Sequence, residues 1–557
     1  MCEGQYVFLL LINILAVWLT VAYGSFLGFS FNHLWVALFT ALTFGLSVIS
    51  LKFDLFKPLI NYKFAVLAFA SIVPRTYFLL NENPVVPEEF TILVKVMPLN
   101  PVLKLPWFIQ NYQKILGAMH VHPPVSFIFA NLGYLIAPSL VGLRLFPFIF
   151  SALSVLVVYL IAREFSEKIA YLTALFYSFD PLVVMFTIVG YTDGYLLFFG
   201  LTGLLFFISA VKKRSGSNAF ISGILTGLSL LCKSTIGYIW IFLILILGVL
   251  FSSISDKLRI LLITLLSIIT AFLTIIPWAC LNPQSFAGAY VNSLIFLLHN
   301  LLKMKLKTGI LNPISETPPP SYLIYLLQKL FPFYKATPFG TISYMEFILK
   351  LLIFLTPYIV TTSIICTPWA LLRRRKLNIR TGVIIFLTLW ILIPLIACLV
   401  LTRDVRYFLP SALPTFILSA WWIRAVKPNL SRAYKVSVIG SMLTFLLLSY
   451  NIANQSYAGI SEIKQAVETH NIPHEKILTN YWLVRYMFPE SDVLVLTNFI
   501  ENNFNSLNFR DYNSVIIWHH NRGSVPQPSL EIVNALKSNY SKCVRMGSNF
   551  SYIEIFY

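Results

Sequence analysis

Long apolar stretches separated by short polar ones dominate the first 454 residues of the chain. A helix needs about 20 residues to cross the hydrocarbon core of a bilayer, and most of the stretches are near that length. The pattern predicts about 13 transmembrane helices, near residues 5–27, 33–51, 62–80, 143–162, 169–188, 193–211, 218–233, 235–252, 258–280, 347–371, 380–401, 407–425 and 436–453. The predicted fold class is therefore a mainly α polytopic membrane protein.

The pattern changes after residue 454, where the chain becomes polar and its apolar runs become shorter. Ile460, Ile463 and Val467 share one helix face, and a second helix is predicted at 529–538. Strands are predicted near 475–480, 491–497, 513–518, 542–546 and 550–556. Alternating elements of this length are typical of a small α/β domain. Two domains are thus predicted, a transmembrane domain at 1–454 and an α/β domain at 455–557.

Basic residues predict which side of the membrane each loop occupies. Cytoplasmic loops are enriched in Lys and Arg, and one alternating set of loops carries most of these residues. They are Lys52, Lys57, Arg163, Lys168, Lys212–Arg214, Lys257, Arg259, Arg373–Lys376, Lys427, Arg432 and Lys435. The opposite, extracytoplasmic side then holds two long loops, about 81–142 and 282–345, together with the polar tail.

The apolar segment from Pro123 to Leu140 is the ambiguous one. If it crossed the membrane, every basic loop after it would change sides. An even number of crossings keeps these loops on the cytoplasmic side, so the segment is predicted to be a juxtamembrane or re-entrant helix. Such a helix is tolerated within the membrane where protein or a wet cavity surrounds it.

Composition agrees with a membrane protein. The 557 residues are 58% hydrophobic and 11% charged, which is more apolar than soluble domains require. The net charge of +19 would suggest nucleic acid in a soluble protein, but membrane topology accounts for most of the basic residues, so no nucleic-acid partner is predicted. The six cysteines form no disulfide framework, and no spacing of His or Cys points to a metal site.

Several charged residues map to the outer ends of spans or to outer loops. They are Glu82, Glu88, Glu89, Asp193, Lys233, Arg403, Asp404 and Arg406. An ionised group near the hydrocarbon costs roughly 2.5–3.5 kcal/mol unless it is paired or hydrated. Several such groups at one depth predict a shared polar cavity that faces outward. The alternative is a set of interfacial charges, each solvated alone.

Most of these residues also have a structural interpretation. Glu88 and Glu89 are placed to stabilise the first turn of a helix, or one of them is a general base. Asp193 can be the N-cap of its helix and can bind a ligand as well. Lys233 either snorkels to the interface or, like Arg406, binds an anionic phosphate.

His120 and His122 stand before the proline pair Pro123-Pro124 in the sequence His-Val-His-Pro-Pro. Proline is common at the first position of a helix, so a helix is predicted to start here. That explains the prolines and leaves the histidines open between a structural hydrogen-bonding role and a place in the substrate pocket.

In this order the motifs resemble the GT-C superfamily of glycosyltransferases, above all protein O-mannosyltransferases and bacterial aminoarabinose–lipid A transferases. Those families carry an Asp-Glu pair in the first outer loop and a later His-Pro-Pro or Lys-Pro-Pro. They also carry an arginine-led span, an acidic residue in the second outer loop, a Gly-Leu…Lys motif and a late Arg-Tyr-x-x-Pro. The matching positions are Glu88-Glu89, His122-Pro123-Pro124, Arg144 to Arg163, Asp193, Gly227-Leu228 to Lys233, and Arg406-Tyr407 to Pro410.

The resemblance covers roughly residues 75–430, with three departures. Two predicted spans precede the one that usually leads into the acidic loop. Glu88 replaces the leading aspartate, which leaves the base open between Glu88 and Glu89. The chain has no room for the β-trefoil insert of eukaryotic O-mannosyltransferases, and this puts a protein hydroxyl as acceptor in doubt.

The resemblance implies an inverting transferase in the plasma membrane, with its active site outside. A sugar would move from a polyprenyl or dolichyl monophosphate donor to a hydroxyl of a protein, glycan or lipid. Glu88 would be the base, and Asp193 would orient the sugar or acceptor. The other implied roles are donor-phosphate binding by Lys233, Arg403, Arg406 and Arg144, and pocket lining by His120, His122, Asp404 and Tyr407. The resemblance implies no particular cofactor, and a divalent metal is compatible with this chemistry.

Two other classes of function remain. A transporter or flippase would also bind a phosphate-bearing solute or lipid in a charged cavity, and Asp180, which precedes Pro181 within a span, fits that class better. However, transporters usually place polar residues near the midplane and show repeated halves, whereas this chain has asymmetric halves. The third class is an inert scaffold that presents the tail as a binding module.

Overall fold

The computed structural model describes most of the chain outside its long loops. The described residues are 30–51, 62–81, 124–137, 139–189, 192–251, 257–281, 381–400, 405–425, 428–455, 460–480, 484–488, 490–495, 509–520, 530–547 and 551–557, with isolated positions between 14 and 25 and at 53. The predicted span 347–371 lies outside them, so the total of 13 spans stays a prediction.

Apolar helices form most of the described structure up to residue 455. They are α1 (His33–Ile49), α2 (Lys63–Leu80), α3 (Pro124–Ile136), α4 (Leu140–Phe165), α5 (Glu167–Phe179), α6 (Pro181–Val189), α7 (Asp193–Lys213), α8 (Gly216–Leu230), α9 (Ser234–Phe251), α10 (Lys257–Leu281), α11 (Thr381–Val400), α12 (Ala412–Ala425) and α13 (Pro428–Gln455). A 3₁₀ helix, Val405–Ser411, precedes α12. Five of the described helices are long and apolar enough to cross a membrane, and the broken pair α5–α6 would add a sixth.

The predicted span 169–188 is two helices. α5 and α6 meet at an angle of 58°, with Asp180 between them. Proline has no backbone N–H to donate, and it disfavours helical geometry in the residue before it. Pro181 therefore ends α5 and begins α6, and the predicted span 169–188 is bent at this point.

Helix α3 occupies the ambiguous apolar segment and has only 13 residues. It packs closely on α4: a Cβ added to Gly133 would lie only 2.1 Å from the carbonyl oxygen of Gly142, so the two backbones leave no room for a side chain. The length, about 20 Å at 1.5 Å per residue, is short of a membrane crossing. A juxtamembrane or re-entrant helix remains the interpretation that fits.

Three contacts join the predicted cytoplasmic loops at one end of the bundle. They are the Lys212–Glu164 ion pair at 2.7 Å, a bond from Arg259 to the Arg214 carbonyl and a bond from Arg424 to the Lys168 carbonyl. This end coincides with the end of α7. The start of α7, at Asp193, lies about 31 Å away, since the helix has 21 residues. The two sides of the predicted topology are therefore opposite ends of the bundle.

The polar tail forms a five-stranded sheet with helices on both faces. The elements are α14 (Ile460–Thr469), β1 (Lys476–Thr479), α15 (Val484–Met487), β2 (Asp492–Val495), β3 (Ser514–His520), α16 (Leu530–Asn539), β4 (Cys543–Gly547) and β5 (Ser551–Phe556). The strand order is β2-β1-β3-β5-β4. Strand β1 pairs with β2 and β3 in parallel, and β5 pairs with β3 and β4 in antiparallel. Ile516 and Ile555 face the large core that also contains Ile463 of α14, whereas Val515 and Phe556 face Leu536 of α16.

Candidate functional site

Asp193 and Lys233 form a buried ion pair at one end of the bundle. The Nζ atom of Lys233 lies 2.8 Å from Oδ1 of Asp193, and the two side chains are 5% and 0% exposed. Asp193 is the first residue of α7, where the positive end of the helix dipole favours a carboxylate. Lys233 lies in the short turn between α8 and α9. The pairing joins two residues that are 40 positions apart in the chain.

The 3₁₀ helix 405–411 brings a second cation and an aromatic ring to this pair. The Lys233 ammonium lies 4.8 Å from the centre of the Tyr407 ring, which is cation–π geometry. Arg406 interacts electrostatically with the same ammonium, as a like charge. Asp193, Lys233 and Arg406 together carry two positive charges and one negative charge. Among these three described residues positive charge is therefore in excess, which favours a nearby anion.

The start of α3 is attached to the turn that carries Lys233. The backbone N–H of Val125 donates to the carbonyl of Leu231 at 3.1 Å. Pro124 is the first residue of the helix and is buried, as the helix start predicted after His122 requires. The His-Pro-Pro motif therefore leads into a helix whose N-terminal turn adjoins the Lys233 turn.

Arg144 is fully buried in the first turns of α4, and its described contacts are structural. Its guanidinium donates to the carbonyl of Phe78 at 2.8 Å and also to the carbonyl of Asn81. These groups form the C-terminal end of α2, where a cation offsets the helix dipole and satisfies terminal carbonyls. Arg144 therefore fixes the point at which the chain enters the first outer loop. Its assignment to the donor phosphate stays a prediction.

The structure brings together four of the residues that the sequence singled out: Asp193, Lys233, Arg406 and Tyr407. Of the other seven candidates, Arg144 is described above, and six lie outside the described residues: Glu88, Glu89, His120, His122, Arg403 and Asp404. Within the described residues no group of three His, Cys, Asp or Glu side chains could hold a metal ion.

Sequence reasoning missed Arg75, which is fully buried in the C-terminal half of α2. The signal was present, because an arginine inside a predicted span is itself an indication of function. Hydropathy averaging over residues 62–80 concealed it among apolar neighbours.

Comparison with known proteins supports the resemblance found in the sequence. Residues 121–280 match the family model described as dolichyl-phosphate-mannose-protein mannosyltransferase, a range that includes Asp193 and Lys233. A search of curated proteins finds no match.

Among solved structures, ArnT from Cupriavidus metallidurans bound to undecaprenyl phosphate aligns over 89% of this chain and 98% of its own, at 12% identity and a TM-score of 0.52. The apo form of the same protein aligns over the same shares at 12% identity and a TM-score of 0.41. The first alignment shows that the chain has an ArnT-like fold. The predicted resemblance to protein O-mannosyltransferases is confirmed over residues 121–280, and the first alignment supports the fold expected from the resemblance to GT-C glycosyltransferases.

Proposed function

We propose that this protein is a membrane glycosyltransferase that moves a sugar from a polyprenyl or dolichyl monophosphate to an acceptor hydroxyl. One observation carries the proposal. In an ArnT-like fold, the end of the bundle opposite the basic loops holds Asp193, Lys233 and Arg406 in one cluster, in which two of the three described charges are positive. A lipid phosphate is an anion that reaches such a cluster from the membrane.

The proposed reaction displaces the lipid phosphate in one step. The acceptor oxygen attacks the anomeric carbon, and the bond from that carbon to the phosphate oxygen breaks with inversion. The electron pair goes to the phosphate, so the leaving group gains negative charge in the transition state. Cations held in place before the reaction stabilise such charge without reorganisation. Arg406 and Lys233 supply them in this proposal, together with Arg403 and Arg144.

Asp193 has two functions in this scheme. It neutralises Lys233 when no phosphate is bound, so the buried ammonium has a partner throughout the cycle. A carboxylate at the mouth of the cavity also accepts hydrogen bonds from sugar or acceptor hydroxyl groups. Asp193 therefore orients the sugar or the acceptor while holding the lysine in place.

The proton of the attacking hydroxyl goes to Glu88, with Glu89 as the alternative base. General-base help typically contributes about 10²–10⁴-fold to a rate. A Glu88→Gln variant should lose at least 10²-fold in kcat, and Glu89→Gln much less. The opposite ranking would assign the base to Glu89, and two fully active variants would remove both carboxylates from the mechanism.

The remaining assignments concern the pocket and the place of reaction. We assign His120, His122, Asp404 and Tyr407 to the substrate pocket and the reaction to the extracytoplasmic face of the plasma membrane. The acceptor is a hydroxyl of a protein, glycan or lipid. A divalent metal is compatible with the anionic donor, although the described cluster already contains the charges that a phosphate needs.

The broken span gives the transporter alternative one specific observation. Transporters bind ions and substrates where helices are interrupted, and Asp180 lies at the interruption between α5 and α6. Asp180 and the neighbouring Arg75 are, however, fully enclosed, whereas Arg406 and Tyr407 are only partly buried. We therefore favour the cluster of Asp193, Lys233, Arg406 and Tyr407 as the ligand site, and we call it the rim cluster.

Purified protein in lipid nanodiscs, given a polyprenyl phosphate carrying a radiolabelled sugar and a mixture of acceptors, provides the test. We expect label in an acceptor, and an Arg406→Gln variant should lose at least about 10²-fold in rate, the size of effect seen when one charge-stabilising donor is removed. Lys212→Gln, at the opposite end of the bundle, is the matched control. Movement of the intact donor across a bilayer without transfer would support a flippase, and neither activity would support a scaffold.

A further inference from the structure

We propose that Arg75 is a positioning residue, which seats Asp193 against Lys233 through Ser151 and Thr187. The inference rests on the proposed function for its meaning in catalysis. It concerns a hydrogen-bonded network deep in the described bundle that contains no part of the rim cluster. Three observations carry it: the contacts of Arg75, the break between α5 and α6, and the packing of Gly194.

Arg75 is fully buried and binds groups on three helices. Its Nε atom donates to Oγ of Ser151 in α4 at 2.7 Å. Its Nη1 atom donates to the carbonyl of Ser71 in its own helix at 3.0 Å and to that of Ser178 in α5 at 3.1 Å. The Ser151 hydroxyl shares a further hydrogen bond with the hydroxyl of Thr187 in α6. One guanidinium thus connects α2, α4 and α5 directly, and α6 through a single serine.

The charges at the break in the span match the dipoles of the two half-helices. Arg75 binds a carbonyl in the last turn of α5, the negative end of that helix. Asp180 accepts a hydrogen bond from the N–H of Val183 at 2.9 Å, in the first turn of α6, the positive end. Arg75 and Asp180 also attract each other. The bend is therefore held by specific contacts, and it sets the direction of α6.

Helix α6 transmits this direction to the candidate site through one close contact. A Cβ added to Gly194 would lie 2.2 Å from the carbonyl oxygen of Thr187 and 3.5 Å from that of Pro147. Only a glycine allows α7 to start at this distance from α6. Since Gly194 follows Asp193 directly, the position of Thr187 fixes the backbone that carries the Asp193 carboxylate. The path from Arg75 to Asp193 is continuous.

Energetics indicate that the network serves geometry more than stability. A buried charged group is weak evidence for stability, because apolar side chains of similar volume often replace it at no cost. Within the described part of the chain, Nη2 of Arg75 and Oδ2 of Asp180 have no hydrogen-bond partner. A network optimised only for stability would not leave these two charged atoms incompletely satisfied. The network is explained instead by a requirement to hold Asp193 in position against Lys233.

The first test compares Ser151→Ala with Ser267→Ala. Both hydroxyls are buried and bond to another helix, but Ser267 donates to the carbonyl of Ala219, away from the path. A displacement of about 1 Å can cost about 10²-fold in rate, so Ser151→Ala should lower kcat by about ten- to a hundredfold with a smaller change in KM. Ser267→Ala should leave kcat within about twofold. Equal effects of the two variants would overturn the proposal.

The second test uses Arg75 itself and does not depend on enzymatic activity. The energetic coupling between Asp193 and Lys233, obtained from a double-mutant cycle of unfolding, should weaken by about tenfold as an equilibrium constant in the Arg75→Met and Ser151→Ala backgrounds. Arg75→Lys should restore part of it, because one ammonium reaches some of the same oxygens. Unchanged coupling would refute the positioning role, even in an active enzyme. Absence of sugar transfer by the wild-type protein would instead refute the proposed function.

Discussion

Removing one partner of the Asp193–Lys233 pair should destabilise the protein more than removing both. At 2.8 Å and an effective dielectric constant of about 20, the attraction between the two charges is about 6 kcal/mol. Desolvation of two buried groups offsets much of this attraction, but a single substitution leaves the other charge buried and without its partner. Such a substitution typically costs about 3–5 kcal/mol, whereas an apolar replacement of both residues is often neutral.

The assay is a double-mutant cycle measured on the unfolding of the protein in mixed detergent micelles. Asp193→Leu, Lys233→Met and the double variant give a coupling free energy, which we expect to be at least about 2 kcal/mol. The surface pair Lys212–Glu164 is the matched control, because it has a similar distance of 2.7 Å but side chains that are 54% and 29% exposed. Exposed pairs contribute about 0.2–1 kcal/mol.

Additive effects of the two substitutions, within about 0.5 kcal/mol, would refute the conclusion that Asp193 and Lys233 are buried partners. Sugar transfer provides a second reading of the same variants. The double variant should recover stability without recovering activity, since it lacks both the cation that we propose binds the phosphate and the carboxylate that we propose orients the sugar or acceptor. Recovered activity would show that the pair is structural only.

Three further predictions concern single contacts. Gly194→Ala should destabilise the protein by about 1–3 kcal/mol and reduce sugar transfer, because the added methyl group overlaps the Thr187 carbonyl. Arg144→Met should lower the free energy of unfolding by at least about 1.5–3 kcal/mol, as charge-assisted bonds to two carbonyls at the end of α2 are lost. In the tail, the hydrogen bond from His519 lowers the pKa of Glu554, so its stabilisation is present above the unfolded-state pKa of about 4.3 and is lost as the pH falls through the folded-state pKa.

Each of these predictions has a control or a contrary outcome in the same chain. Gly216→Ala serves for the glycine, since its added Cβ would meet nothing closer than 3.8 Å, and equal losses in the two variants would contradict the packing argument. An Arg144→Met variant with the same free energy of unfolding as the wild type would show that the Arg144 guanidinium does not stabilise the C-terminal end of α2. For the tail, the midpoint temperature of thermal unfolding is measured from pH 6 to pH 3. It should fall less steeply with pH in Glu554→Gln than in the wild type. Parallel curves would exclude the linkage.

Most helices and strands could be predicted from the sequence, because the forces that define them are local. α4 was predicted at 143–162 and runs from Leu140 to Phe165, while β3 was predicted at 513–518 and runs from Ser514 to His520. The break at Pro181 was missed, although proline gave the signal, because an average over the 20 mostly apolar residues at 169–188 does not register one missing donor. The start of α12 was placed too early for a similar reason, as 405–411 is a 3₁₀ helix.

The candidate site was predicted as a set of residues but not as an arrangement. Asp193, Lys233, Arg406 and Tyr407 were each conspicuous as polar groups at a membrane boundary. Nothing in the pattern showed that the lysine pairs with the aspartate and lies against the tyrosine ring. Arg144 was assigned to the same phosphate, but its described bonds go to the end of α2.

The sequence by itself determined that the chain is a helical membrane protein with one chemically distinct end, since each apolar segment must satisfy its own backbone in lipid and each charge there must be rare. Only the tertiary structure decided which charges are partners, which one caps a helix and how Arg75 is connected to α6 through two hydroxyl groups. Those contacts join residues from 36 to 103 positions apart. Hydropathy describes each segment against its solvent, whereas pairing depends on how segments pack against one another, and no local pattern contains that information.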